Sequence, residues 1–181
     1  GRTAVVIAHR LSTIRAADVI LDPSDPDVLY AATHQRERRA YNFVGGGPGS
    51  GIWKSTDGGE TWTRLSKGLP TSDMGRIGLD VARARPGTVY AVTEGSEQGV
   101  YRTDDGGASW RKASDIASIP WFFGEIRVDP TDPERVYHLG VQLQVSTDGG
   151  GTWQVTAREV HADQHAMWIN PENPAHLILG N

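Results

Sequence analysis

His161, Asp163 and His165 stand two residues apart and form the sharpest polar constellation in the chain. Imidazole and carboxylate are the groups that hold divalent cations or move protons near neutral pH. In an extended segment, residues two apart share a face at about 6.6 Å, so adjacent pairs could chelate a metal; the outer two, about 13 Å apart, need a bend to meet. Zinc requires further ligands, and His34 is the remaining candidate if the fold brings it across. Three readings stand here: a divalent-metal site through His161 and His165, a catalytic or ligand-binding polar cluster, and structural hydrogen bonding.

A second group, Gln35, Arg36, Arg38, Arg39 and Tyr41, could contact anionic or hydroxylated ligands or form a solvated basic loop. Trp121, Phe122 and Phe123 could make a stacking platform for a sugar or fill a core between elements. Glycoside hydrolysis needs two carboxylates about 5 to 10 Å apart across the sugar. Glu94, Glu97, Asp115, Glu125, Glu159 and Asp163 fall in suitable segments, with Glu125 and Asp163 as the catalytic candidates.

Composition bounds these options. The 18 Lys and Arg against 22 Asp and Glu leave a formal charge of -4, which gives no electrostatic reason to expect nucleic acid or an anionic membrane. There is no cysteine, so disulfides and thiolate metal sites are excluded. No apolar run reaches the length of a membrane span. The chain starts at Gly1 without an initiator methionine or signal-peptide pattern, so the natural start is expected to lie elsewhere or to have been removed.

Three near-identical stretches must position these residues. Residues 55–62, 103–110 and 146–153 share the pattern hydroxyl-x-Asp-x-Gly-x-x-Trp, spaced 48 and 43 residues apart. Ser55, Asp57, Gly59 and Trp62 set it in the first copy, Thr103, Asp105, Gly107 and Trp110 in the second, and Ser146, Asp148, Gly150 and Trp153 in the third. Glycine accepts positive φ, and the Asp carboxylate can bond backbone N–H groups, so each copy predicts a hairpin turn pinned by a buried tryptophan that starts the next strand. A second phrase precedes each box, Asp-Pro-x-Asp-Pro at 22–26 and 129–133 and a degenerate form at 83–90, and a fourth copy, Asn-Pro-Glu-Asn-Pro at 170–174, follows the last box. Proline cannot donate to a ladder and Asp or Asn opens turns. The unit is four strands with two tight turns, the signature of a propeller blade.

The sequence therefore predicts an all-β chain, a partial β-propeller of about three and a half four-stranded antiparallel blades with a short non-propeller N-terminal segment. Blades are expected at about 16–66, 75–114 and 124–158, with a half blade at about 165–181. Propellers close with typically 4–8 blades, so the chain is expected to be a fragment whose open edges self-associate or pair with missing blades. Both tight turns of a blade lie on one face. The box aspartates are thus turn-formers, and the long loops at 34–51, 66–76, 94–99, 114–125 and 158–165 gather on the opposite face.

On the three boxes, Leu29 to Thr33 with Gln35 and Arg36, the glycine-rich loop 45–51, and 161–171, residues 16–181 resemble the Asp-box propellers, or bacterial neuraminidase repeat proteins. Within these the chain is most similar to the sortilin-like, glycosyl-hydrolase-type group of secreted bacterial proteins. That resemblance implies a propeller, a secreted or periplasmic location, and either a scaffold binding protein or carbohydrate or a glycoside hydrolase. Sialidases carry an Arg-Ile-Pro phrase from which Gly75-Arg76-Ile77-Gly78 departs, so sialidase activity is not expected.

Residues 1–15, GRTAVVIAHRLSTIR, resemble instead the switch segment of an ABC transporter ATPase domain, which implies that His9 would face the γ-phosphate of ATP. An ATP site needs a G-x-x-x-x-G-K-[ST] loop. The nearest string, residues 49–55, puts Trp53 before Lys54, so no ATP hydrolysis is expected and 1–15 reads as a graft on the propeller. The leading expectation is a binding scaffold without a complete active site and without a cofactor. Its ligand-binding candidates are His161, Asp163, His165, Arg36, Tyr41 and Trp121.

Overall fold

A computed structural model describes residues 17–116 and 124–181. His9 with the ATPase-like segment, and Trp121 with its two phenylalanines, lie outside the described residues.

Sixteen strands form among the described residues. The first sheet takes β1 (Ala17–Leu21), β2 (Leu29–Thr33), β5 (Gly51–Ser55) and β6 (Thr63–Leu65) in that order. A hairpin of β3 (Glu37–Arg39) and β4 (Asn42–Val44) is inserted between β2 and β5. The second sheet runs through β7 (Met74–Val81), β8 (Val89–Gly95), β9 (Gly99–Thr103) and β10 (Arg111–Ser114), and the third through β11 (Glu125–Val128), β12 (Val136–Leu139), β13 (Gln144–Ser146) and β14 (Gln154–Val155). A two-stranded sheet of β15 (Ala166–Ile169) and β16 (Leu177–Gly180) follows. All pairings are antiparallel. This is the expected partial propeller.

The repeated phrases make these sheets because their polar side chains close turns locally. In the first box the Ser55 hydroxyl donates to Asp57 Oδ1 at 2.6 Å and accepts the Gly59 N–H at 2.9 Å, while Asp57 accepts the Thr61 N–H at 2.9 Å. Thr103 with Asp105 and Ser146 with Asp148 repeat the pattern in the other two boxes. The hydroxyl bond from Ser55 and the bonds from Thr61 hold Asp57 down at about 2; those from Thr152 and Ser146 do the same for Asp148. The box tryptophans differ from expectation. β6, β10 and β14 each begin one residue after the tryptophan, and only Trp110 is buried, Trp62 and Trp153 being half-buried. Trp62 and Trp153 donate their indole N–H to Gly59 O and Gly150 O, each at 3.0 Å. The indole ring therefore belongs to the turn, and its polar edge keeps it near the surface.

The upstream phrases close the turns between first and second strands. Asp22 accepts the Ser24 N–H and hydroxyl, Asp129 those of Thr131, and Asn170 the Glu172 N–H.

The core lies between sheets. Tyr30, Ala32 and Ile52 pack on Ile77, Leu79, Val89 and Ala91; Tyr90, Val92 and Val100 pack on Ile126, Val128 and Val136; Tyr137, Leu139 and Leu143 pack on Met167. A central strand covered on both faces reads as a continuous apolar run, which is why every residue of β2 is buried. Each fully buried Val, Leu or Ile contributes about 1.5–3 kcal/mol, so a sheet is held in place mainly by its neighbours.

Candidate functional site: the loop face and central channel

All three boxes and the Asp-Pro turns occupy one face, because they join first to second and third to fourth strands. The opposite face carries the second-to-third loops and the connections between sheets. In the second and third sheets the second-to-third loops are short, 96–98 and 140–143. In the first it spans 34–50 and holds the β3–β4 hairpin.

Side chains tie the base of this hairpin down. Gln35 Oε1 accepts the Gly49 N–H at 2.8 Å, the Gln35 N–H reaches Ser50 Oγ at 2.9 Å, and His34 Nε2 lies 3.1 Å from Gly45 O. Gly47 bridges to Met74 of β7, so the insertion also rests on the second sheet. Arg36 stands 5.7 Å over the Phe43 ring. Glu37 and Arg39 form an ion pair, and Arg39 Nη1 donates to Tyr41 Oη at 3.2 Å. Tyr41 is 81% exposed at the tip. The sequence placed Arg36 and Tyr41 on a loop; 36–44 has no apolar–polar alternation, so the hairpin carries no periodic mark.

The segment 156–165 does not have the extended geometry that would have let His161, Asp163 and His165 share a face. Asp163 takes a left-handed conformation with φ 73°, and its N–H bonds to Val141 O at 3.1 Å. The Gln164 N–H bonds to Gly140 O at 2.9 Å and the His165 N–H to Gly180 O at 2.8 Å. The chain turns at Asp163 to bury Gln164, which is 3% exposed, and His161 Nδ1 meets Ala162 O at 2.8 Å. His34, bonded to Gly45 O within its own insertion, brings no third ligand. Among the described residues no three His, Cys, Asp or Glu side chains gather as a metal site.

The loop-face carboxylates are largely occupied. Glu97 accepts the N–H groups of Ser72 and Thr71, each at 2.9 Å, and those bonds, Ser72 first, hold it below the usual carboxylate range. Glu94 is buried and accepts the Arg76 N–H at 3.2 Å. Asp115 pairs with Lys112 at 2.5 Å, and Glu125 with Arg127 at 3.0 Å.

Sequence reasoning missed a channel. The first strands of all four sheets line a cavity of about 340 Å³ through Ile20, Asp80, Arg127 and Trp168. An adjoining one of about 440 Å³ shares Ile20, Asp80 and Arg127 and adds Asp18, Arg76 and Glu125. Asp80 was legible as a lone carboxylate among the buried Leu79, Val81 and Ala82. Its Oδ2 accepts the Val128 N–H at 2.7 Å and its Oδ1 the Val81 N–H at 3.0 Å, joining β7 to β11. Burial pushes its carboxyl up to about 6, against the pull of those bonds and of Arg127.

A raised carboxylate pKa means that the folded state holds its proton more tightly than the unfolded chain, so Asp80 destabilises the fold when ionised and less as pH falls from above 6 toward 4. His138, buried with its pKa lowered first by burial, acts in the opposite direction as pH falls. The contribution of Asp80 is therefore read against Asp80→Asn: the stability difference between wild type and variant is expected to shift in favour of wild type between pH 7.5 and pH 5, measured by urea unfolding. A difference independent of pH would show that Asp80 does not titrate there.

Residues 50–179 match the model of the Sortilin-Vps10 family, described as sortilin, neurotensin receptor 3. No curated protein matches the chain in sequence. Among solved structures the chain is similar to the GH74 enzyme of Niastella koreensis at 22% identity and a TM-score of 0.62, over 86% of this chain and 24% of that one. It is likewise similar to the GH74 xyloglucanase of Xanthomonas campestris at 22% identity and 0.59, over 82% and 24%. A third likeness, to YCF48 bound to D1 peptide, has 16% identity and a TM-score of 0.59, over 86% and 44%. The chain thus spans about a quarter of the length of the two GH74 enzymes and under half that of YCF48. At these identities the likeness is one of fold.

Proposed function

This chain belongs to the Sortilin-Vps10 family, and on that premise we propose that it is a recognition module of an extracellular, luminal or periplasmic Asp-box propeller, binding a protein or carbohydrate ligand through its loop face. The observation that carries the reading is the β3–β4 hairpin: an insertion fixed at its base by Gln35, Ser50 and Gly47 and exposed at its tip. Functional residues concentrate on loops that a rigid scaffold positions. The engagement of Glu94, Glu97, Asp115 and Glu125 in structural bonds favours binding over hydrolysis. YCF48, bound to a peptide, offers a precedent for ligand binding on this fold. The exposed Trp168 and Ile178 of the two-stranded sheet are surfaces for further blades or a second copy. No helix among the described residues is long and apolar enough to cross a membrane.

The test is a screen of the full chain against displayed peptides and a glycan array, beside a reducing-end assay on xyloglucan and other β-glucans. Binding that disappears when residues 37–44 are replaced by a short glycine turn, without release of reducing ends, is the expected result. Turnover that Asp163→Asn or Glu125→Gln abolishes would overturn the reading.

A further inference from the structure

The β3–β4 hairpin has two unequal faces. On one, Glu37 and Arg39 neutralise each other and Arg39 bonds to Tyr41. On the other, Phe43 lies between Arg36, whose guanidinium stands 5.7 Å over its ring, and Arg38, its partner across the ladder. Neither Arg36 nor Arg38 has a carboxylate partner among the described residues, and both are exposed. Residues 35–44 carry three arginines and one glutamate in a chain whose formal charge is -4, so this is a local positive field against an acidic background.

β3 pairs only with β4 among the described residues, leaving a row of backbone donors and acceptors along its other edge. Arg38, in β3, lies opposite Phe43, and Arg36, just before the strand, holds its guanidinium over the same ring, so the two share one side of the hairpin, two residues apart; in a strand, alternate residues repeat at about 6.6 Å. A peptide strand added to that edge presents its own alternate residues at the same repeat. We propose that the hairpin captures an acidic peptide segment of the form acid-x-acid, paired as a third strand on β3, with its carboxylates on Arg36 and Arg38 and an apolar group near Phe43. A polyanionic glycan could meet the guanidiniums but has no backbone to pair with the β3 edge. This identification rests on the recognition-module reading above and names the partner's chemistry.

The probe is a short fluorescent peptide alternating glutamate and valine, titrated onto the full chain by anisotropy at low and physiological salt. Arg36→Glu combined with Arg38→Glu is expected to weaken binding by about tenfold or more, since charge-assisted bonds carry the contact. Arg39→Gln, which removes a charge from the paired face, changes it by under about threefold. Cross-strand nuclear Overhauser contacts between 37–39 and 42–44 retained in the double variant show that the hairpin still folds. A glutamine-for-glutamate peptide and a peptide N-methylated at alternate residues are both expected to bind weakly, the first for want of charge and the second for want of ladder bonds. Equal affinity for either, indifference to the double substitution, or displacement by a sulfated oligosaccharide at lower concentration than by the peptide itself would overturn the proposal. Hairpin-dependent binding of a peptide without acids sinks this inference and leaves the recognition module standing; absence of any hairpin-dependent ligand sinks both.

Discussion

Arg102→Ala is expected to cost about 3 kcal/mol of unfolding free energy, among the largest losses any single side-chain truncation would produce here. The Arg102 side chain is 5% exposed, on β9, and it bridges two sheets. Its Nη1 and Nη2 reach Glu134 at 2.5 and 2.9 Å, in the turn before β12; Nε and Nη2 reach Asp104 at 2.9 and 2.6 Å; and Nη1 donates to Tyr90 Oη at 2.9 Å. Burial works against the guanidinium's charge, but its bonds to Glu134 and Asp104 more than offset this and raise its pKa. Planar bidentate contact to two carboxylates is geometry that lysine cannot copy, so Arg102→Lys should recover only part of the loss. Tyr90 is held in the same network, donating to Pro133 O at 2.7 Å. The preceding junction supplies the control. Lys54, one residue before its box hydroxyl as Arg102 is before Thr103, makes one hydrogen bond, to Gly106 O at 2.8 Å, and stands 5.4 Å over the Tyr30 ring, and Lys54→Ala should cost no more than about 1.5 kcal/mol. Urea midpoints at constant m measure both. Equal losses would mean that the network adds nothing to ordinary packing.

The contrast between those junctions marks where the sequence stops being legible. The boxes were readable because their chemistry closes within four residues, as Ser55 to Gly59 and Asp57 to Thr61 show. Strand order followed from the turns, since a tight turn leaves an antiparallel neighbour no alternative. Contacts between sheets carry no such local mark. Arg102 and Glu134 are 32 residues apart, and Asp80 and Val128 are 48 apart; no periodicity announces either pair. The channel was invisible for the same reason, being made of one strand from each sheet. The His161 to His165 stretch shows a different failure. A shared face depended on extended chain there, and bonding of 163–165 to Gly140, Val141 and Gly180 comes instead with a left-handed residue at Asp163, a residue type that tolerates it. The basic loop was limited in another way: its residues were legible as a group, but the pairing of Arg38 with Phe43, which sets Arg36 and Arg38 apart from the ion-paired Arg39, emerged only with the hairpin.

Gly68→Ala should be the most damaging substitution of a glycine, because two costs coincide there. Gly68 has φ 81°, a left-handed backbone that a Cβ makes unfavourable by about 1–2 kcal/mol. The added Cβ would also lie 1.9 Å from Trp110 O and 2.8 Å from Trp110 C, backbone atoms that no rotamer change can move aside. Overpacking of that kind costs about 1–3 kcal/mol, so the sum is about 2–5 kcal/mol if the two add. Two other glycines separate the contributions. Gly58, φ 69°, has nothing nearer its added Cβ than Asp27 Oδ1 at 3.7 Å, so Gly58→Ala reports backbone strain alone, about 1–2 kcal/mol. At Gly78 no left-handed conformation is involved, but the new Cβ would sit 1.9 Å from Gly124 O, where β7 meets the segment leading into β11, so Gly78→Ala reports the clash alone. The expected order of unfolding midpoints is Gly58→Ala above Gly68→Ala, with Gly78→Ala between them or level with Gly58→Ala. The reason lies in the junction itself: Lys67 O accepts the Trp110 N–H at 2.9 Å, so the link leaving β6 is bonded directly to the second box, and any outward shift that relieves the clash breaks that bond. A Gly68→Ala midpoint equal to that of Gly58→Ala would show that the junction yields, and that the bond from Trp110 N–H to Lys67 O is not needed to hold the first two sheets together.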